Sequence, residues 1–235
     1  PMKQMALDIG LAPAPTLAAF VPGRNLDALQ HVRLWAEART RSPVPVYLWG
    51  DAGAGKTHLL RAARQAVEDA GGAVGWLDPG VPARTPFRED WEAVLMDDVQ
   101  DFGVELQHTA FAWFVQAVAP ADGRARAVLA AGRLPPADLA LREDLRTRLG
   151  WGHVFQLHLL SEDEVRAALR QAAQARGLAL PDDVLDYVLV RRARDLSSLM
   201  GLLERLDRYA LQRQRAITIP LLRTMLEDEA RPAPH

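Results

Sequence analysis

The sequence predicts an α/β fold in which a five-stranded parallel sheet with flanking helices is followed by a small all-helical domain. Three observations lead to this prediction. Up to about Leu160, short apolar runs alternate with segments of helical periodicity, which is the pattern of parallel strands joined by helical crossovers. Beyond Leu160 the strand-like runs stop. Residues that begin helices then recur at a spacing that suits four short helices.

The five strand candidates are apolar runs of four to six residues, a length typical of buried strands. Right-handed crossovers between parallel strands require helices in between, and the intervening segments supply them. The runs are residues 44–49, 73–77, 93–96, 127–131 and 154–157.

The last third of the chain carries the signals of helix starts. Ser161 and Glu164 have the spacing of a capping box, which predicts a helix up to about residue 176. A proline is favoured in the first turn of a helix because its missing N–H costs nothing there. The later predicted starts are Asp182, Asp195 and the turn that contains Pro220.

Composition divides the chain into three parts. Residues 1–18 are rich in alanine and include three prolines, which predicts a flexible N-terminal tail rather than a core element. The α/β base is predicted over residues 19–159 and a helical lid domain over residues 160–230.

Charge and residue usage exclude several classes of protein. A net charge of −2 provides no global basic field for strong autonomous binding to nucleic acid. The absence of cysteine excludes disulfides, thiolate catalysis and cysteine zinc sites. No apolar run approaches the roughly 18 residues that a membrane span needs, and no leader is recognisable. We expect a cytoplasmic protein with no membrane contact.

A glycine-rich segment, the phosphate loop (residues 50–57), directly follows the first predicted strand and fits the pattern G-x-x-x-x-G-K-T. Its glycines let backbone N–H groups face phosphates, Lys56 adds a compact charge, and Thr57 can place its hydroxyl on Mg²⁺. This predicts binding of a nucleoside diphosphate or triphosphate; the alternative is a glycine turn between core elements. The candidate cofactor-binding residues here are Gly50, Gly53, Ala54, Gly55, Lys56, Thr57 and His58.

Two carboxylates follow the third predicted strand. Because parallel strands end at one edge of the sheet, we expect Asp97 beside the phosphate loop, where it and Thr57 would hold Mg²⁺. Asp98 is the candidate to polarise an attacking water, which makes it a candidate catalytic residue. A simple strand cap is the alternative for this pair.

These motifs resemble those of AAA+ ATPases of the DnaA initiator group. The resemblance runs from about residue 20 to residue 228 and is carried by G-D-A-G-A-G-K-T-H-L-L, V-L-M-D-D-V-Q, L-R-T-R-L-G-W-G and R-D-L. It implies the AAA+ fold with a helical lid. Within the group the chain is most similar to the Hda branch, the regulatory inactivators of DnaA. Two expectations favour that branch: no helix-turn-helix domain follows the lid, and a glutamine-containing peptide precedes the base.

The resemblance implies roles for individual residues. Arg148 matches the arginine finger that contacts ATP bound to a neighbouring DnaA, and is the second candidate catalytic residue. Arg194 matches the second sensor, which reaches the bound nucleotide; surface charge at a helix start is its alternative. Asn25 matches the segment near the base and ribose. Arg146 is equally compatible with assisting the finger and with simple solvation.

The tail contains a peptide similar to those that dock on the DNA polymerase III sliding clamp (beta subunit). A glutamine can bond the rim of a pocket while spaced apolar residues become buried as a flexible segment orders. The alternative is a leader with a few hydrophobic residues. The candidate clamp-binding residues are Gln4, Met5, Leu7, Asp8 and Ile9.

Two departures from the family pattern predict weak intrinsic ATP hydrolysis. The fourth strand ends in Leu129-Ala130-Ala131-Gly132-Arg133, without the polar residue of a first sensor. Asp98 is one methylene shorter than the glutamate of many AAA+ hydrolases.

A cluster of apolar residues follows the aspartate pair on a predicted helix: Phe111, Trp113, Phe114 and Val115. We assign it to core packing, with a partner face as the alternative.

The resulting hypothesis is an adaptor that binds ADP or ATP with Mg²⁺, is tethered to the clamp, contacts DNA only through it, and stimulates ATP hydrolysis by DnaA. The chain would thereby restrain replication initiation. Two alternatives remain: a self-contained ATPase that loads helicase, and an initiation factor that contacts DnaA without touching its ATP. Homo-oligomerisation is left open.

Overall fold

The computed structural model describes residues 15–191 and 195–231. These residues form two compact units, one up to Leu159 and one from Leu160 onward. The first unit contains a five-stranded sheet in the order β2-β3-β4-β1-β5, and every neighbouring pair is parallel. This confirms the predicted sheet. The strands are β1 (Val46–Trp49), β2 (Ala73–Leu77), β3 (Trp91–Met96), β4 (Ala127–Gly132) and β5 (His153–Gln156).

Strand order decides what lies at the carboxyl edge of the sheet. β4 pairs with β1 on one side and with β3 on the other. The phosphate loop follows β1 and the two aspartates follow β3, so the end of β4 lies between them. This arrangement creates a crevice at the carboxyl ends of the strands, the usual ligand position in open α/β sheets.

Helices cover both faces of the sheet. Alternate residues of the strands face opposite sides, so Leu48 packs in one core while its neighbour Tyr47 packs in the other. The first core is closed by α1 and α2 and the second by α3 and α4. These helices are α1 (Leu26–Glu37), α2 (Lys56–Asp69), α3 (Val104–Val118) and α4 (Glu143–Leu149).

The second unit consists of helices around its own apolar core. The capping box is confirmed: the Glu164 amide donates to Ser161 Oγ (3.2 Å), and the Ser161 amide donates to Glu164 Oε1 (3.0 Å). Asp195 likewise accepts from the amide of Ser198 at 2.9 Å. The helices are α5 (Glu162–Ala175), α6 (Asp182–Arg191), α7 (Leu196–Arg213) and α8 (Ile219–Ala230).

Strand boundaries differ from the predicted ones by one or two residues. β3 begins at Trp91, whose ring packs edge-on against Trp113 at 4.7 Å between centroids. β1 begins at Val46 rather than residue 44, because Pro45 has no N–H to give to a ladder. Neither shift changes where β1 and β3 end, next to the phosphate loop and the aspartate pair.

A buried arginine ties the loop before β3 to the start of β4. The side chain of Arg126 is 1% exposed, and its guanidinium pairs with Asp122 through both Nη atoms (2.9 and 2.7 Å). The remaining donors bond the carbonyls of Trp91, Glu89 and Arg124. All five N–H groups are thereby used, which is what makes a buried guanidinium tolerable.

Replacing Asp122 by asparagine is expected to remove an acid-sensitive part of the stability. Its hydrogen bonds with Arg126 lower the pKa of Asp122 from 3.8 to about 2. A depressed folded-state pKa stabilises the fold above the unfolded pKa, and that contribution is lost as pH falls through the folded value. The wild type should therefore lose stability between about pH 4 and pH 2, and Asp122→Asn should lose less. Urea midpoints across this range measure the difference.

A suitable control is Asp138→Asn, because Asp138 is exposed at the end of a short 3-10 helix (Pro136–Asp138). This variant should retain the wild-type pH dependence. Parallel curves for Asp122→Asn and the wild type would contradict the assigned role of the Arg126 pair.

Candidate functional site

The phosphate loop has the backbone that anion binding requires. Gly53 and Gly55 have φ angles of 87° and 99°, in the left-handed region that favours glycine. A Cβ on Gly50 would lie 2.3 Å from the carbonyl oxygen of Leu157, and one on Gly55 would lie 2.9 Å from the ring of Phe20. Since α2 begins at Lys56, the loop delivers the N-terminus of that helix to the crevice.

Lys56 lies inside this loop and is 8% exposed. Its Nζ donates to the carbonyl oxygens of Gly50 (2.5 Å) and Asp51 (2.9 Å). Burial lowers the pKa of Lys56, while the charges of Asp98 and Asp97 act in the opposite direction. The ammonium group is therefore held in place by the same loop that would surround a phosphate.

Thr57 and Asp97 meet at the bottom of the crevice. Thr57 Oγ1 donates to Asp97 Oδ2 at 2.6 Å, and the amide of Asp98 donates to Asp97 Oδ1 at 3.0 Å. Burial raises the pKa of Asp97, and its bond with Thr57 opposes this shift. A hydroxyl beside a carboxylate suits Mg²⁺, which prefers oxygen ligands. In the part of the chain that the structure describes, no three acidic or histidine groups cluster as a metal site, so phosphate and water would complete the coordination.

A glutamine to which the sequence assigned no role, the last residue of the V-L-M-D-D-V-Q motif, joins the ends of β3 and β4. Gln100 Nε2 donates to Asp98 Oδ1 at 3.3 Å, and Gln100 Oε1 accepts from the amide of Arg133 at 3.0 Å. Asp98 itself has a left-handed backbone, with φ of 51°. The candidate water-polarising carboxylate is thus oriented by Gln100, whose only sequence signal is its place two residues after the aspartate pair.

Gly132, the last residue of β4, has no room for a side chain in this packing. A Cβ on Gly132 would already lie 2.4 Å from the hydroxyl of Tyr47. That hydroxyl donates to the carbonyl of Leu134 at 2.6 Å, and burial raises the pKa of Tyr47. At Gly132 the absence of a polar side chain therefore has a packing reason, because a tyrosine of β1 occupies the space beside it.

The segment before α1 packs on the phosphate loop. The Phe20 ring lies 5.6 Å from the His58 ring, and His58 Nε2 lies 3.4 Å from the carbonyl of Thr16. The partner of His58 is therefore in this preceding segment and not in its own helix. The amide of Asn25 bonds both backbone groups of His158 (2.8 and 2.7 Å). Asn25 thus holds the segment to the end of β5, and its contact with a base or ribose stays a prediction.

Arg148 lies on α4 with its guanidinium against aromatic rings. Its Cζ is 5.1 Å from the ring centroid of Phe111 and 6.0 Å from that of Phe114. The side chain is half-buried, and over residues 15–191 and 195–231 it has no hydrogen bond or ion pair. Its charge is consequently available to an external anion. Arg146, two residues earlier, is also half-buried.

Some predicted site residues lie outside the residues that the structure describes. They are Gln4, Met5, Leu7, Asp8, Ile9 and Arg194.

Two family models match separate parts of the chain. Residues 162–226 match the model described as the lid domain of Hda, and residues 11–73 match the bacterial DnaA ATPase domain. The chain is an Hda-like, DnaA-related AAA+ protein. In this DnaA-related protein, the first match covers α5 to most of α8, and the second covers β1, the phosphate loop and α2. The two matches support a role related to the initiation of DNA replication.

Solved structures with the same fold include initiators and a motor. Domain III of the Thermotoga maritima initiation protein DnaA is 22% identical, with a TM-score of 0.72 over 95% of this chain and 100% of that one. AMPPCP-bound DnaA from Aquifex aeolicus is 24% identical (TM-score 0.65, 83% of this chain and 65% of that one). The Thermotoga maritima branch migration motor RuvB is 15% identical (0.63, 91% and 72%). These likenesses confirm the AAA+ fold.

Within residues 15–191 and 195–231, no helix of this DnaA-related protein has the length and apolarity of a membrane span.

Proposed function

We propose that this protein restrains replication initiation as a nucleotide-bound adaptor: tethered to the DNA sliding clamp, it presents Arg148 to the ATP of DnaA. The observation that carries the proposal is the unneutralised charge of the Arg148 side chain. Its guanidinium rests on the Phe111 ring without a carboxylate partner among the described residues. An arginine charge left unpaired on a rigid helix is what a finger acting on another subunit's phosphates requires.

The bound nucleotide of the adaptor is ADP or ATP with Mg²⁺. Lys56 and the loop backbone would bind its phosphates, and Thr57 and Asp97 would hold the cation. A related DnaA structure contains AMPPCP, a triphosphate analogue, which supports the same class of ligand here. The cation supplies charge neutralisation at the phosphates, while the loop fixes their position.

Features that predict weak hydrolysis at the protein's own site support the adaptor over a motor. Tyr47 fills the space beside Gly132, and Asp98 is both short and held by Gln100. The second candidate, a self-contained ATPase, is favoured by the complete phosphate loop and the Thr57–Asp97 pair. It requires substantial turnover in the absence of DnaA, whereas the adaptor requires almost none.

The decisive experiment measures phosphate release from ATP-bound DnaA. Five reactions are compared: DnaA alone, DnaA with this protein, DnaA with the DNA-loaded clamp, all components together, and this protein with ATP in the absence of DnaA. Acceleration only in the complete reaction supports the proposal. Equal acceleration without the clamp would contradict tethering, and equal phosphate release without DnaA would favour the self-contained ATPase.

Deleting residues 1–10 is expected to reduce stimulation about tenfold at limiting protein concentration. A tether raises the local concentration of the adaptor near DnaA, so its loss weakens the encounter and leaves the chemistry intact. Stimulation should therefore recover when the truncated protein is added in large excess. Deletion of residues 232–235 at the other end is the matched control and should leave the concentration dependence unchanged.

A further inference from the structure

Two guanidinium groups share the ring of Phe111. The Cζ atoms of Arg142 and Arg148 lie 5.0 and 5.1 Å from its centroid. Phe111 is half-buried on α3, unlike Trp113 and Phe114, which are 2% and 1% exposed. The ring lies outside the second apolar core, and within the described residues its ring contacts are those with the two arginines.

The two arginines differ in how they are held. Arg142 forms a bidentate pair with Asp144 (Nε to Oδ1 and Nη2 to Oδ2, both 2.6 Å), and its Nη1 lies 2.5 Å from His108 Nδ1. Its amide also donates to Gln107 Oε1 at 2.9 Å. Arg142 is thus neutralised and fixed to α3, whereas the described residues give Arg148 aromatic contacts alone.

These contacts form a stripe along one side of α3. His108, Phe111 and Phe114 are spaced three residues apart, which places them on one helix face. They contact, in order, Arg142, both arginines, and Arg148. The stripe fastens the start of α4 through Arg142 and offers an aromatic surface to the arginine near its end.

We propose that Phe111 is a positioning residue that seats the guanidinium of Arg148 in the orientation in which it meets the partner's phosphates. The inference rests on the proposed function, since it concerns the same arginine. A ring face attracts a guanidinium without neutralising it, unlike a carboxylate, so the charge stays available while the side chain is ordered. Ordering before the encounter reduces the entropy that the transition state must otherwise overcome.

The test replaces Phe111 by leucine, which keeps apolar bulk but removes the ring, and by tyrosine, which keeps the ring. Phe111→Leu is expected to lower the maximal stimulated rate of DnaA hydrolysis about two- to fivefold, the size of a partly exposed cation–π contact. The concentration for half-maximal stimulation should stay unchanged because the finger acts in the transition state. Phe111→Tyr should restore the rate.

The matched control is Phe87→Leu. Phe87 is also half-buried and lies 5.4 Å from a guanidinium carbon, that of Arg126, but it takes no part in the α3 stripe. Its substitution should leave stimulation unchanged. In an Arg148→Ala background, Phe111→Leu should have no further effect, because the ring then has no finger to seat.

The contact between the Arg148 guanidinium and the Phe111 ring can also be measured without DnaA. A guanidinium on a ring face experiences the ring current, so the side-chain proton signals of Arg148 should be shifted upfield in NMR spectra and should return in Phe111→Leu. Absence of this shift in the wild type would overturn the proposal even if Phe111→Leu failed to fold. Unchanged stimulation in Phe111→Leu, with stimulation abolished in Arg148→Ala, would overturn the positioning role alone. Unchanged stimulation in Arg148→Ala would instead overturn the proposed function.

Discussion

Replacing Arg148 by alanine is expected to reduce stimulated hydrolysis of DnaA-bound ATP about 1,000-fold, to near the rate of DnaA alone. An arginine finger stabilises charge on the equatorial oxygens of the transferred phosphoryl group, and contributions of about 10³ or more are typical. The fold should tolerate the change, because the half-buried side chain of Arg148 has no hydrogen bond or ion pair within the described residues. Single-turnover phosphate release with the clamp on DNA measures the effect.

Two further variants make this result specific. Arg84→Ala is the matched control, since the Arg84 side chain is 89% exposed and pairs only loosely with Glu105, at 3.8 Å. It should leave stimulation unchanged. Arg146→Ala tests whether Arg146 assists Arg148. A loss of stimulation similar to that of Arg148→Ala would mean that both arginines contact the phosphates. Unchanged stimulation would mean that Arg146 is a solvated residue. Wild-type stimulation by Arg148→Ala would refute the finger assignment.

The elements and the phosphate loop could be predicted because their signals are contiguous in the sequence. A buried parallel strand is a short apolar run, and a helix start is a cap followed by its partner three residues later. Ser161 with Glu164 and the glycine pattern around Lys56 are of this kind, and the structure contains both. The strand order then brings Thr57 to Asp97, which lies 40 residues away.

The remaining features of the site depend on contacts that no spacing reveals. Tyr47 is held beside Gly132 by a hydrogen bond to a residue 87 positions away, and Gln100 reaches Arg133 across 33 positions. Phe111 belongs, in the sequence, to a cluster of aromatic residues with the pattern of a core helix. Only the packing of α4 against α3 separates it from Phe114 and gives it two arginines.

Replacing Lys56 by alanine is expected to weaken binding of ADP about 100-fold. A hydrogen bond to a charged group contributes roughly 1.5–3 kcal/mol, which corresponds to about 10- to 150-fold in affinity. One further effect acts in the same direction. The carbonyls of Gly50 and Asp51 lose their shared donor, so the loop loses a contact that maintains its shape. Titration with a fluorescent ADP analogue measures affinity, and the rise in melting temperature on adding ADP should largely disappear.

The sequence offers a matched control for Lys56 because it contains only one other lysine, Lys3. Lys3→Ala should retain the affinity for ADP, and equal loss in both variants would contradict the phosphate-loop assignment. Stimulation of DnaA measured with ADP or with a nonhydrolysable triphosphate bound to this protein separates an adaptor from a motor. If the loop only holds a nucleotide so that the base keeps Arg148 in place, ADP should support stimulation of DnaA as well as a nonhydrolysable triphosphate does. A motor would require ATP turnover at Lys56, and ADP would then inhibit it.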